Sequence, residues 1–276
     1  MNTDYFLFGL EFEFYLKDED DKTNFINKLN KKLNINLIDL THTYYAENPE
    51  EWILSVEKTM PILRNKNGYE LTSPILYFDE LKPTIDTVLE ILQEYSFTNE
   101  SCGFHFHISA ENEDLVEPDI IKFLLLLNEK KVFDDYRIRN EFVLNIMDVL
   151  KNTNLDIFRK FYKCLEKYYN VYFVDLDQKH IEIRILGDEN YEYNENISDF
   201  IYSVSKYFYF SMTEDENEKY VILLEEFKKE NSSNQTILYK EDLEKLAIEH
   251  ELTFDEMFKK AKRTRILNTE RRLPND

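Results

Sequence analysis

The stretch CGFHFHISA, residues 102–110, decides the fold class. Phe104, Phe106 and Ile108 fall on one side of an extended chain, and His105, His107 and Ser109 fall on the other. Alternation with a period of two is a strand signal. The same pattern appears on either side of this stretch. Within residues 5–16, Phe12 and Phe14 oppose Glu11 and Glu13. Within residues 180–186, Ile181, Ile183 and Ile185 oppose Glu182 and Arg184. Residues 171–174 form a further strand-like run, joined to 180–186 by Asp175-Leu176-Asp177-Gln178, which predicts a hairpin. Each of the three alternating strands thus presents an apolar side and an ionisable side. Antiparallel sheets often wet one face. A wet face more often mixes in Lys and Thr, whereas these carry Glu, Glu, His, His, Glu and Arg.

Further strands are expected over 52–57 and 69–76. Helices are expected over 20–33, 79–95, 118–150, 155–169 and 197–212. Strands and helices in mixed order with hairpin-like neighbours predict an α+β fold on a mainly antiparallel sheet. The polar run 213–217 divides the chain into a catalytic domain, 1–212, and a C-terminal extension, 213–276. The extension is expected to be helical over 218–230, 240–249 and 254–261, with a basic end at 259–272.

A chain of 276 residues with 43% hydrophobic content has material for a sizeable core. No apolar run approaches the roughly 20 residues of a membrane-spanning helix. The start, Met1-Asn2-Thr3-Asp4, has no secretory character. Cys102 and Cys164 are the only cysteines, too few for a disulfide framework, so a cytoplasmic setting is expected. A net charge of −21 argues against nucleic-acid partners, because such binding neutralises phosphates with basic patches. The only glycines are Gly9, Gly68, Gly103 and Gly187. Each lies within three residues of an ionisable group on a strand-like run, as expected where the backbone turns or something approaches closely.

Carboxylates with an imidazole suit Mg²⁺ or Mn²⁺, which take oxygen donors and keep waters. Clustered carboxylates need a cation to offset their repulsion. Arg184 beside Glu182 is placed to meet a phosphate with its two-pronged guanidinium. Arg137, Arg139, Arg159 and Arg64 are candidate further phosphate contacts, and His42 and His180 are candidate acid–base groups. No Walker-type loop or dinucleotide fingerprint is present.

The ordered set GLEFEF (9–14), GYELTSPIL (68–76), CGFHFHIS (102–109) and HIEIRILG (180–187) resembles the amidoligase family, a branch of the glutamine synthetase and glutamate–cysteine ligase superfamily. The resemblance spans roughly residues 5–210 and includes the pair Ser73-Pro74 after Glu70. It implies a curved antiparallel sheet forming a funnel, flanked by helices, that uses ATP and Mg²⁺ or Mn²⁺ to join a carboxylate to an amine. Carried over residue by residue, it implies one metal held by Glu11, His105 and Glu182, and another held with the help of Glu13 and Glu70. Arg184 would lie on the transferring phosphoryl group, and His107 near the acceptor or a nucleotide oxygen. The implied catalytic set is therefore Arg184, Glu70 and His107, with Arg184, Arg137 and Arg139 as the candidates for contacting ATP. The chain departs from the family in two places. It has Glu57-Lys58-Thr59 where relatives often show Asp-x-Ser, and Tyr172 where they often show Asn. Substrates are expected to be small-molecule or peptide carboxylates and amines. Two other classes fit the same residues: a two-metal phosphoesterase or nuclease, and a binding module without activity.

Overall fold

A computed structural model describes residues 5–41, 50–63, 65–112, 114–129, 146–151, 155, 158–159, 170–175, 179–187 and 189–231. Arg64, Arg137, Arg139, His42, Cys164, the expected helices at 240–249 and 254–261, the basic end and most of 155–169 lie outside the described residues.

Among the described residues the strands join one nine-stranded, mainly antiparallel sheet. Its centre is β1 (Phe6–Leu16). On one side β1 pairs with β4 (Gly68–Thr72), then β3 (Ile53–Val56) and the parallel edge strand β2 (Ile38–Asp39). On the other side lie β7 (Gly103–Ala110), β9 (His180–Gly187) and β8 (Val171–Asp175). Two short strands, β5 (Leu76–Tyr77) and β6 (Ser96–Phe97), also pair with β1. The α+β class and the 171–187 hairpin are as the alternation predicts.

The pair Ser73-Pro74 separates β4 from β5 along the same edge of β1. Proline has no N–H to give a ladder. Here Ser73 supplies the local bonds: its N–H donates to the Leu10 carbonyl (2.8 Å), and its Oγ accepts from the Leu10 N–H (2.9 Å).

The apolar face of the sheet carries Phe6, Phe8, Leu10, Phe12 and Phe14 from β1, with Phe104, Phe106, Ile108, Ile181 and Ile183 beside them, all fully buried or nearly so. Burying each such side chain contributes about 1.5–3 kcal/mol. Helices cover this face. Phe25 of α1 (Lys22–Leu33) meets Phe14 at 5.2 Å between ring centroids. Phe200 of α5 (Ile197–Ser211) meets Phe106 edge-on at 5.8 Å, and Phe208 meets Phe6. The helix α2 (Phe78–Tyr95) buries Leu81, Ile85, Val88 and Leu92, and α3 (Ile120–Glu129) buries nearly all of its length. A short helix, α4 (Ile146–Lys151), completes this set before the last described helix.

That last helix, α6 (Asn217–Asn231), follows the polar run and lies outside the sheet. It is tied to α3 by Lys122, whose buried ammonium donates to the carbonyls of Thr213 (2.8 Å) and Asp215 (2.6 Å) and to Asn217 Oδ1 (2.6 Å). Among the described residues no helix is long and apolar enough to cross a membrane.

The ladder between β7 and β9 is irregular at one point. On β7 and β9, Phe106 pairs with Ile183 but Phe104 pairs with Leu186, so β9 holds one residue more than its partner. This β-bulge shifts the alternation.

Candidate active site

With the apolar face covered by helices, the other face of the central strands carries the ionisable side chains. Register decides which of them meet. Glu11 is opposite His105 on β7 and Thr72 on β4, while Glu13 is opposite Glu70. His107 is opposite Glu182 on β9, and Ser55 of β3 is opposite Glu70. The structure thus brings Glu11, Glu13, Glu70, His105, His107, Glu182 and Arg184 onto neighbouring strands of one face.

Two groups have ligand atoms within 4.8 Å of one another: Glu11, His107 and Glu182, and Glu13, Glu57 and Glu70. The central strand supplies one carboxylate to each. His105 lies between the groups, with Nδ1 3.2 Å from Glu11 and 4.0 Å from Glu13. His107 Nε2 lies 3.1 Å from the other oxygen of Glu11. Glu13 accepts the Gly103 N–H at 2.5 Å. Arg184 donates to Glu182. Arg159 is exposed.

Gly103 shows why a glycine stands in this strand. A Cβ there would come within 2.3 Å of His105 Nε2 and 2.9 Å of Glu13 Oε2. Gly187, its cross-strand partner, has φ +145°, and a Cβ there would meet the Cys102 carbonyl at 2.5 Å. Gly9 meets no such restriction, since a Cβ there would make ordinary contact with His107 at 3.6 Å.

The electrostatics divide the carboxylates. Burial opposes ionisation of Glu11, but hydrogen bonds and charge from His105 and His107 override it and hold its pKa well below the usual range. Burial raises the pKa of Glu13 despite the nearby His105 and the Gly103 N–H. Glu70 is pushed up to about 8 by burial and then by the charges of Glu11, Glu57 and Glu13. Burial disfavours the charged form of His107, yet the hydrogen bond and charge of Glu11, with the charge of Glu182, raise its pKa.

This donor chemistry fits divalent cations. Glu13, Glu57 and Glu70 form an all-oxygen set whose mutual repulsion and burial resist three negative charges, and a hard cation would relieve that. Glu11, His107 and Glu182 add one nitrogen, which Mn²⁺ tolerates well.

Glu57 follows the last residue of β3, at the place where relatives often carry a shorter acid, and the structure groups it with Glu13 and Glu70. The structure places His180, a candidate acid–base group in the sequence, beside His107. Its spacing of two from Glu182 already put both on one face of β9.

A comparison with curated proteins found no match. Residues 6–131, which carry β1 to β7 and every side chain of this site except His180, Glu182 and Arg184, match the family model described as "Putative amidoligase enzyme".

Proposed function

We propose that the protein is an ATP- and divalent-metal-dependent carboxylate–amine ligase that forms an amide, or peptide-like, bond through an acyl phosphate. The observation that carries this reading is the pair of acidic groups fed by one strand, with Glu11 in one and Glu13 in the other. Two adjacent cation sites on a sheet suit phosphoryl transfer, which depends on positioning and charge neutralisation. Mg²⁺ or Mn²⁺ bound by Glu11, His107 and Glu182, with His105 beside them, and by Glu13, Glu57 and Glu70 would supply that neutralisation.

The remaining work falls to the chain's own residues. Arg184 binds the phosphoryl group with its planar guanidinium and neutralises charge that grows as the group moves to the substrate carboxylate. Glu182 orients Arg184 through their ion pair. His105 holds Glu11 and Glu13 in place from between them. The amine then displaces phosphate from the acyl phosphate, leaving the amide. The funnel-like closure of the superfamily, small-molecule or peptide substrates and a cytoplasmic setting belong to the same proposal. A net charge of −21 weighs against a nuclease on this face.

The test is to incubate the protein with ATP, Mg²⁺ and a panel of amino acids, peptides and amines, reading ADP, phosphate and product mass. The expected result is phosphate release that needs both a carboxylate and an amine, with a product lighter than their sum by one water. Hydroxylamine should trap the activated carboxylate as a hydroxamate. Metal-dependent cleavage of phosphodiesters, with no condensation product across the panel, would overturn the reading.

A further inference from the structure

His107 is held from both sides of its ring. Nε2 lies 3.1 Å from Glu11 Oε1, and Nδ1 lies 3.1 Å from Nε2 of His180. The two imidazole centroids are 5.3 Å apart and the rings are inclined by 52°, so the rings are tilted rather than stacked, with the two nitrogens at hydrogen-bond distance. His180 is opposite Ser109 on β7 and Asp175 on β8. Glu182 is opposite His107, and on the β7 side the pairing from His180 to Ile183 is regular, the bulge lying beyond Ile183, whereas the β8 side shifts register between Tyr172 and Asp175. The backbone therefore fixes His180 beside His107 by the same ladder that fixes Glu182.

Two ring nitrogens at this distance share one proton: one donates and the other accepts. If Nε2 of His107 is to give its lone pair to a cation, the ring proton must sit on Nδ1 and needs an acceptor there. Nε2 of His180 is in position to be that acceptor. We infer that His180 is a positioning residue that, by accepting the Nδ1–H of His107, fixes that ring's tautomer and orientation and presents its Nε2 lone pair to a divalent cation shared with Glu11 and Glu182. The inference rests on the cation site of the proposed function. It adds a residue that touches neither the cation nor the substrate, but acts through a ligand, as outer hydrogen-bond partners of metal-binding histidines do.

The test uses the full chain and titrates Mn²⁺, following free Mn²⁺ by electron paramagnetic resonance, with His107→Gln identifying the site that contains the imidazole. His180→Phe keeps a ring and loses the acceptor, whereas His180→Gln keeps an acceptor at similar reach. His180→Phe should weaken Mn²⁺ at the His107 site by about 10–100-fold, the usual loss for such partners. It should leave the other site unchanged. His180→Gln should restore most of the affinity. Nitrogen-15 spectra of the Mg²⁺-loaded wild-type protein should show His107 as the Nδ1–H tautomer, a readout that needs no variant. Unchanged Mn²⁺ affinity in His180→Phe, equal loss in both variants, or an Nε2–H tautomer in the loaded protein would each overturn the role of His180 while leaving the cation site standing. A wild-type protein that binds no Mn²⁺ would instead remove the cation site, and this role with it.

Discussion

Glu70 is a buried acid among acids, and its environment makes a signed prediction. Its pKa is raised from 4.5 to about 8. The stability linked to its proton is fully present below about pH 4.5 and is lost as pH rises through about 8. In chelator, the melting temperature of the wild type should therefore fall between pH 6 and pH 9 more steeply than that of Glu70→Gln, with the variant the more stable at pH 9. Parallel curves for the two proteins would count against the clustering. Gly103 makes a steric prediction: Gly103→Ala must displace the His105 ring or Glu13, because its Cβ would overlap both. Overpacking of this kind costs about 1–3 kcal/mol, and denaturant titration should show that loss along with weaker Mn²⁺ binding. Arg184→Ala should lower the rate of ATP-dependent condensation by roughly two to four orders of magnitude while leaving the melting temperature nearly unchanged, and Arg184→Lys should restore little. If Arg184 only pairs with Glu182, stability drops and the rate of the folded variant survives. At this scale the sequence showed which residues share a face, since alternation alone sets that. It did not show that His107 joins Glu11 and Glu182, or that Glu57 joins Glu13 and Glu70, because those groupings depend on register across strands.

Among the elements, β1, β7, β9 and α2 were legible from period and end signals alone. The bulge in β9 was not. A one-residue slip leaves no mark in a run such as Ile181 to Leu186, where every position tolerates an apolar neighbour, and only the ladder with β7 reveals it. The short strands β5 and β6 were also hidden, since two residues carry no period. The polar run 213–217 was legible as a break between two helices, but its bond to α3 was not, because a lysine in an apolar helix carries no sign of its acceptors. Lys122 is only 2% exposed, and three of its acceptors come from residues 213–217. A chain ending at Met212 should therefore leave a charged donor unsatisfied and lose about 2 kcal/mol or more. Lys122→Met in that shortened chain should recover part of the loss. Thermal unfolding of the two shortened chains against the full chain measures it, and equal stability of all three would make α6 a passive appendage.

At the scale of the whole molecule, one sheet separates two jobs. Its aromatic face is sealed by helices, and its other face gathers the carboxylates. The residues that match the family model include β1, β4 and β7, while β9, with Glu182 and Arg184, lies beyond the matched region. The proposed ligase needs two distinct cation sites on this face. The most direct test is the Mn²⁺ stoichiometry of the full chain with ATP present, in the wild type, in Glu57→Gln/Glu70→Gln and in His107→Gln/Glu182→Gln. Two cations per wild-type chain, with each double variant losing a different one, is the predicted result. A single cation in the wild type, or the same cation lost from both variants, would contradict it.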